Sequence, residues 1–277
     1  MSCDAPQSVF LSVGWWYMAA MKCILGLVVL VAISVLAEEE IVKVLTTSDR
    51  IERVNRDIVR SADEPYIEDD VAYDSEAERN ADPCTSSNCM WPKSDDGSVY
   101  VPYIISSAFS SREVSIIERG LTSFHDVSCI RFVKHTNQRD YLNIQSLDGC
   151  YSYIGRRGNG QDLSLQRTGC VYHDTVQHEV LHALGFHHEQ KRSDRDSYIR
   201  VVLENVIPGK EHNFQIVNTL NQGTTYDYGS VMHYSKYAFS KNNEPTMVAI
   251  PDPNVQFGMA TEMSAKDITR LNNLYNC

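Results

Sequence analysis

The sequence predicts an α+β fold: an N-terminal mixed sheet with helices, a less regular C-terminal subdomain, and a cleft between them. Two observations carry this reading. Between Val99 and Gln145, strand-like runs alternate with one amphipathic helix, as in layered helix and sheet. After Gly185 the pattern loosens into turns carrying Pro208, Gly209, Gly223, Gly229, Pro251 and Pro253. The chain has 277 residues, 43% hydrophobic and 22% charged, so a sizeable core is available and wholesale disorder is excluded.

Val99–Ile105 is rich in β-branched and aromatic residues and suits a strand. Ser111–His125 sets Val114, Ile117, Leu121 and Phe124 on one helical face. Short strands are expected at Ile130–Val133 and Tyr141–Gln145, and an edge strand over Tyr151–Gly155, where an extended peptide could add. Asp174 is a candidate N-cap for the helix that follows it. The last helix opens at Ser264, with Asp267 three residues on, and carries Ile268, Leu271 and Leu274.

The N-terminal part reads differently. Cys23–Ala37 is a charge-free, mostly apolar run of 15 residues behind Lys22. A membrane span needs about 20, whereas a secretory leader needs roughly 7–15. Val35 and Ala37 are the small residues of a cleavage site before Glu38, so residues 1–37 read as an N-terminal extension and signal peptide. Glu38 to Arg79 holds 14 acidic and 6 basic residues, against 21 and 18 from Asn80 to Cys277. This segment, weakly helical at Ile51, Val54 and Ile58, is either a solvated linker or a propeptide ending at an arginine that a trypsin-like enzyme could cut. The net charge of −11 argues against nucleic acid as a partner.

Without the leader, six cysteines remain: Cys84, Cys89, Cys129, Cys150, Cys170 and Cys277. An even number behind a secretory leader implies bridges. No Asn-x-Ser/Thr acceptor occurs, so N-glycosylation is not expected.

The chemistry lies in HEVLHALGFHHEQ, His178–Gln190. His178 and His182 are four apart, on one face of a helix, where two imidazoles can share a Zn²⁺. Gly185 can end the helix and turn the chain back, bringing His188 in as third ligand. Three protein ligands leave an open position, the mark of a catalytic site. Glu179 points to one side of the metal and suits a general base that later acts as acid. A structural zinc protein would need a nearby fourth Cys or His, and a binding module with lost chemistry would be expected to have lost Glu179. Whether Arg156-Arg157 and Lys191-Arg192 face solvent or substrate is left open.

The motif resembles the astacin family of metzincin zinc metalloproteases, and Ser230-Val231-Met232-His233-Tyr234 matches that family's Met-turn. The resemblance spans nearly all of Asn80–Cys277. It implies one Zn²⁺ per catalytic domain, Met232 as a floor beneath it, and Tyr234 as a swinging ligand that steadies the oxyanion. It further implies bridges Cys129–Cys277 and Cys150–Cys170, leaving Cys84 with Cys89. That extra pair and Met90–Ser106 are similar to fish hatching enzymes of the choriolysin type. The resemblance also implies that Glu189 holds the mature N-terminus, Asn80, once the chain is cut after Arg79. The alternative for Glu189 is a surface acid.

Astacin zymogens are silenced by an aspartate of an F-x-G-D-type motif. Here Ile67-Glu68-Asp69-Asp70 stands in its place, with Asp70 the aligned blocker and Asp69, where glycine is expected, the fallback. The reading is a secreted zinc endopeptidase made as a zymogen, cut by a trypsin-like protease and acting on egg-envelope glycoproteins at hatching. A digestive or leukocyte-type secreted astacin is the alternative. The expected form is a free-standing enzyme, since no repeat or adhesion domain follows Cys277, and a monomer without membrane anchor is expected.

Overall fold

The computed structural model describes residues 45–59, 64–74 and 89–277. The leader, the Arg79–Asn80 junction and Cys84 lie outside the described residues. The first described element is α1 (Thr47–Asn55), opened by the Thr46 side chain, which accepts from Asp49 N at 3.2 Å. Its Ile51 is buried in the same apolar cluster as Val176 and Leu181. The weak periodicity around Ile51 and Val54 is therefore a helix, and Ile58 lies beyond its end.

A mixed sheet follows. Its strands are β1 (Tyr66–Glu68), β2 (Val71–Tyr73), β3 (Val99–Ile105), β4 (Ile130–Lys134), β5 (Tyr141–Gln145), β6 (Cys150–Tyr153) and β7 (Gly160–Leu165), in the order β1-β2-β6-β7-β5-β3-β4. β4, β3, β5 and β7 run parallel, β6 antiparallel to β7, and β2 parallel to β6. Val99, Val101, Leu142, Ile144, Leu163 and Leu165 are fully buried, one face of the pleat turned to the core. Against the sheet lie α2 (Ser111–Thr122) and α3 (His173–Ala183). α2 starts in a capping box: Ser110 accepts from Glu113 N, and the Glu113 carboxylate accepts from Ser110 N at 2.7 Å. It stops at Thr122, short of the expected His125.

One expectation and one alternative fail here. The strand expected over Tyr151–Gly155 begins at Cys150 and ends at Tyr153, and it is not an edge: β2 pairs with it, Val71 opposite Ser152 and Ala72 opposite Tyr153. The acidic stretch is no solvated linker over residues 64–74, since Glu68, Asp70, Val71 and Ala72 are buried.

The second half has its own core of Ile199, Phe214, Tyr234, Phe239, Met247 and Phe257 around a two-stranded ribbon, β8 (Ile199–Val201) with β9 (Met247–Ala249). The chain closes with α4 (Ala265–Tyr275), capped by Ser264 and Asp267 as expected. Disulfides join Cys129 to Cys277 and Cys150 to Cys170, as the resemblance implied, and Cys89 is also disulfide-bonded. With its ends 148 positions apart in sequence, the first of these bridges contributes about 5 kcal/mol on the chain-entropy model. No helix among the described residues is long and apolar enough to cross a membrane.

The approach of α2 to α3 requires Gly120, because a Cβ there would meet Val176 Cγ1 at 2.5 Å and Cβ at 2.7 Å. Gly120→Ala should cost roughly 1–3 kcal/mol in thermal or urea unfolding. Combined with Val176→Ala it should cost less than the sum of the two single changes.

Candidate metal centre and active site

α3 has Tyr172 at its N-cap position with no side-chain cap. Asp174 lies inside the first turn instead. Its buried carboxylate is taken by α1, accepting from Thr47 Oγ1 at 2.6 Å and pairing with Arg50. A partner from a distant segment thus wins over the local capping role. At the other end, Gly185 at φ +104° donates to His182 O and Phe186 donates to Leu181 O, a Schellman stop. The chain reverses there and returns His188 towards the helix face bearing His178 and His182.

The three imidazoles and the Asp70 carboxylate each offer an atom to one small volume, all within 4.8 Å of one another, and all four residues are buried. His178 Nδ1 lies 2.8 Å from Val231 O, and His182 Nδ1 lies 2.7 Å from Phe186 O. Each carbonyl requires the proton on Nδ1, so both Nε2 atoms face inward as lone pairs. Burial pushes the His188 pKa down to about 3 and lowers that of His182, so neither carries charge near pH 7. Asp70 Oδ2 sits 2.9 Å from His178 Nε2 and 3.2 Å from His188 Nε2. His182 Nε2 and Asp70 Oδ1 have no hydrogen-bond donor among the described residues. Three imidazole nitrogens and a carboxylate oxygen converging on one buried volume fit a cation, and that donor set fits zinc.

Asp70 reaches this point from the tip of a hairpin. β1 and β2 are antiparallel, Glu68 opposite Val71, with Asp69-Asp70 as a two-residue turn. Asp69, first of the pair, has φ +59°. That is the left-handed position at which such turns ordinarily carry glycine. Asp70, the aligned candidate, is the one among the histidines, while the Asp69 carboxylate accepts from Tyr234 Oη. Glu179 is fully buried, and neither of its carboxylate oxygens has a partner among the described residues. Burial, with the nearby Asp70 and Asp69 charges, raises its pKa well above the ordinary range. Tyr234 packs its ring 4.6 Å from that of His188 and is likewise raised by burial and by Asp69.

A family model described as Astacin, a peptidase family, matches residues 85–276. The chain belongs to the astacin family. It is 50% identical over 200 residues to high choriolytic enzyme 1 of Oryzias latipes, covering 72% of this chain and 74% of that protein. To the low choriolytic enzyme of the same fish it is 45% identical over 201 residues, covering 72% and 74%. A solved structure of high choriolytic enzyme 1, described as a hatching enzyme zinc-protease, aligns with a TM-score of 0.69 at 50% identity, covering 72% of this chain and 100% of that one. This astacin is a zinc metalloendopeptidase of α+β fold, and it acts on protein substrates.

The walls of the astacin site come from far along the chain. Asp267 of α4 accepts from Ser230 Oγ at 2.6 Å and from Val231 N at 3.0 Å, fixing the turn whose Val231 carbonyl orients His178. Met232 is buried in the main core, and its carbonyl accepts from Glu189 N at 2.9 Å. Glu189 is no surface acid: it is buried, clasped by both Nη atoms of Arg270, and accepts from Asp227 N at 2.7 Å. A cavity of about 410 Å³ lined by His187, Glu189, Arg192 and Arg270 opens beside it. Arg270 and the second role of Asp267 escape sequence reasoning; the only local signal is the capping box, which explains Asp267 without reference to the site. Tyr234 is held at its backbone, its N donating to Gln190 Oε1 at 3.2 Å. A Cβ on Gly258 would strike the Tyr234 carbonyl oxygen and Ser235 Cα.

His233 contacts Tyr234 O through Nδ1 at 2.8 Å and Tyr226 Oη through Nε2 at 2.7 Å, and burial pushes its pKa down to about 4. An unfolded histidine titrates near 6.5, so between these values the unfolded chain binds a proton that the native state does not, and stability falls as pH falls. The difference amounts to about 2 kcal/mol at pH 5. In urea unfolding, the stability advantage of the native sequence over His233→Gln should therefore shrink by roughly that amount between pH 7 and pH 5.

Proposed function

We propose that this astacin is a secreted hatching-type endopeptidase made as a zymogen. Residues 1–37 are an extension and signal peptide, residues 38–79 a propeptide, and residues 80–277 the catalytic domain. The observation that carries the zymogen reading is Asp70, buried at a hairpin tip against His178, His182 and His188. The hairpin also spends the edge of β6, where an extended substrate would pair, and Asp69 engages the Tyr234 hydroxyl.

With the hairpin gone, His178, His182 and His188 hold Zn²⁺ through the inward Nε2 atoms. Bound there, the metal supplies Lewis acidity, polarising the scissile carbonyl and lowering the pKa of water towards ~7. Glu179, unpartnered and adjacent, takes the proton of the attacking water and returns it to the leaving amine. Tyr234, freed of Asp69, donates its O–H to the oxyanion. Met232 closes the floor.

Activation is a cut after Arg79 by a trypsin-like protease, which makes Asn80 the N-terminus. Glu189 anchors that terminus from the cavity beside it. Secretion is supported by the apolar leader and by the disulfides. Egg-envelope glycoproteins are the proposed substrate, supported by the likeness to the choriolytic enzymes. The working form is a monomer.

Two experiments test this reading. The intact precursor should be silent on casein and Asp70→Ala should give it activity before any cleavage; a silent Asp70→Ala precursor that still becomes active on trypsin treatment would remove Asp70 from the blocking role. After processing, the enzyme should solubilise isolated egg envelopes, and Glu179→Gln should keep one zinc by elemental analysis while losing roughly 10²–10⁴ in turnover.

A further inference from the structure

α1 grips the rest of the molecule through one face. Thr47, Arg50, Ile51 and Val54 stand at i, i+3, i+4 and i+7, the spacing of a helix seated in a groove. Arg50 is the charged anchor. Its guanidinium lies 4.4 Å over the Tyr172 ring and pairs with the Asp174 carboxylate, and the two charged side chains are only 12% and 7% exposed. Asp174 sits in the first turn of α3, where the helix dipole favours an anion. Thr47 Oγ1 lies between Asp174 Oδ2 at 2.6 Å and Ala260 O at 3.1 Å, and Ser235 N donates to Ser48 Oγ at 3.0 Å. Ile51 enters the main core, and Val54 fills the space that a Cβ on Gly169 would take. At the far end the Asn55 amide meets Cys150 as a strand would, its Nδ2 donating to Cys150 O at 2.8 Å and its Oδ1 accepting from Cys150 N at 2.9 Å.

The receiving polar groups all belong to residues 150–260, and the inserted ones to residues 47–55. Cleavage after Arg79 breaks none of these contacts; it only turns a tethered ligand into a free one. Arginine is selected because any neutral side chain in its place would leave the Asp174 carboxylate without its cation. We propose that the processed enzyme keeps this groove as a second binding site, an arginine pocket of Tyr172 and Asp174 beside an apolar socket, whose ligand is the released helical segment 45–56 of this chain. The inference rests on the reading of residues 38–79 as a removable propeptide. It adds that the blocking carboxylate, Asp70, and the gripping helix are separate parts with separate partners.

The test uses full-length precursor carrying Glu179→Gln, so that the probe is not cleaved. It is converted with trypsin, the trypsin is inhibited, and the released segments are removed by gel filtration. A fluorescein-labelled peptide of residues 45–56 should then bind saturably in fluorescence anisotropy. Arg50→Gln in the peptide should weaken binding about tenfold, the scale of a hydrogen bond to a charged group. Against enzyme that also carries Asp174→Asn, the native and Arg50→Gln peptides should bind within about twofold of each other. The peptide change leaves the enzyme untouched, so it reads the pocket even where Asp174→Asn fails to fold. No saturable binding up to about 1 mM, or equal binding of the two peptides to enzyme with Asp174 intact, overturns the site. Native precursor treated in parallel separates the two readings: casein cleavage without peptide binding overturns the groove alone, whereas no casein cleavage overturns the propeptide reading on which the groove rests.

Discussion

Buried lone pairs that point at one another repel, and the cleft of this astacin gathers several. Val231 and Phe186 offer their carbonyls to the outer nitrogens of His178 and His182, which turns the basic nitrogens of both rings inward. The Asp70 carboxylate faces them. Such an arrangement persists only if a cation sits among its members or the surrounding structure over-determines it. Much of the second half can be understood as that over-determination, since it supplies few regular elements but many fixed carbonyls and carboxylates.

The C-terminal helix is the bracket. Asp267 caps its own helix and anchors the turn that orients His178, while Arg270, one turn on, clasps Glu189 beside His188. The disulfide from Cys277 to Cys129 ties the end of that helix back to the sheet. Covalent, ionic and hydrogen-bonded constraints on one short helix are thus passed to the histidines without any of these residues touching the metal position.

The histidines were legible in the sequence because their geometry is local: a four-residue spacing on one helix and one glycine where the chain must reverse. β3 was legible for a similar reason, its β-branched and aromatic run needing no partner to be identified. What escaped was set by contacts distant in sequence. Asp174 has the composition of a cap, yet Thr47 and Arg50 claim it. β7, reading Gly-Gln-Asp-Leu-Ser-Leu, has weak intrinsic β preference and is a strand because β5 and β6 flank it. The choice between Asp69 and Asp70 stayed open because this chain lacks the glycine of the family pattern, and the positive φ of Asp69 accounts for both the expected glycine and the tolerance of aspartate there.

Tyr234 is pinned on several sides of its backbone: Gln190 accepts its N–H, His233 donates to its carbonyl, and Gly258 leaves no room behind it. Only the torsions beyond its Cα remain adjustable. Any travel of the phenol between Asp69 and the metal side is accordingly a rotamer change about a stationary pivot, with no hinge or segmental rearrangement to wait for.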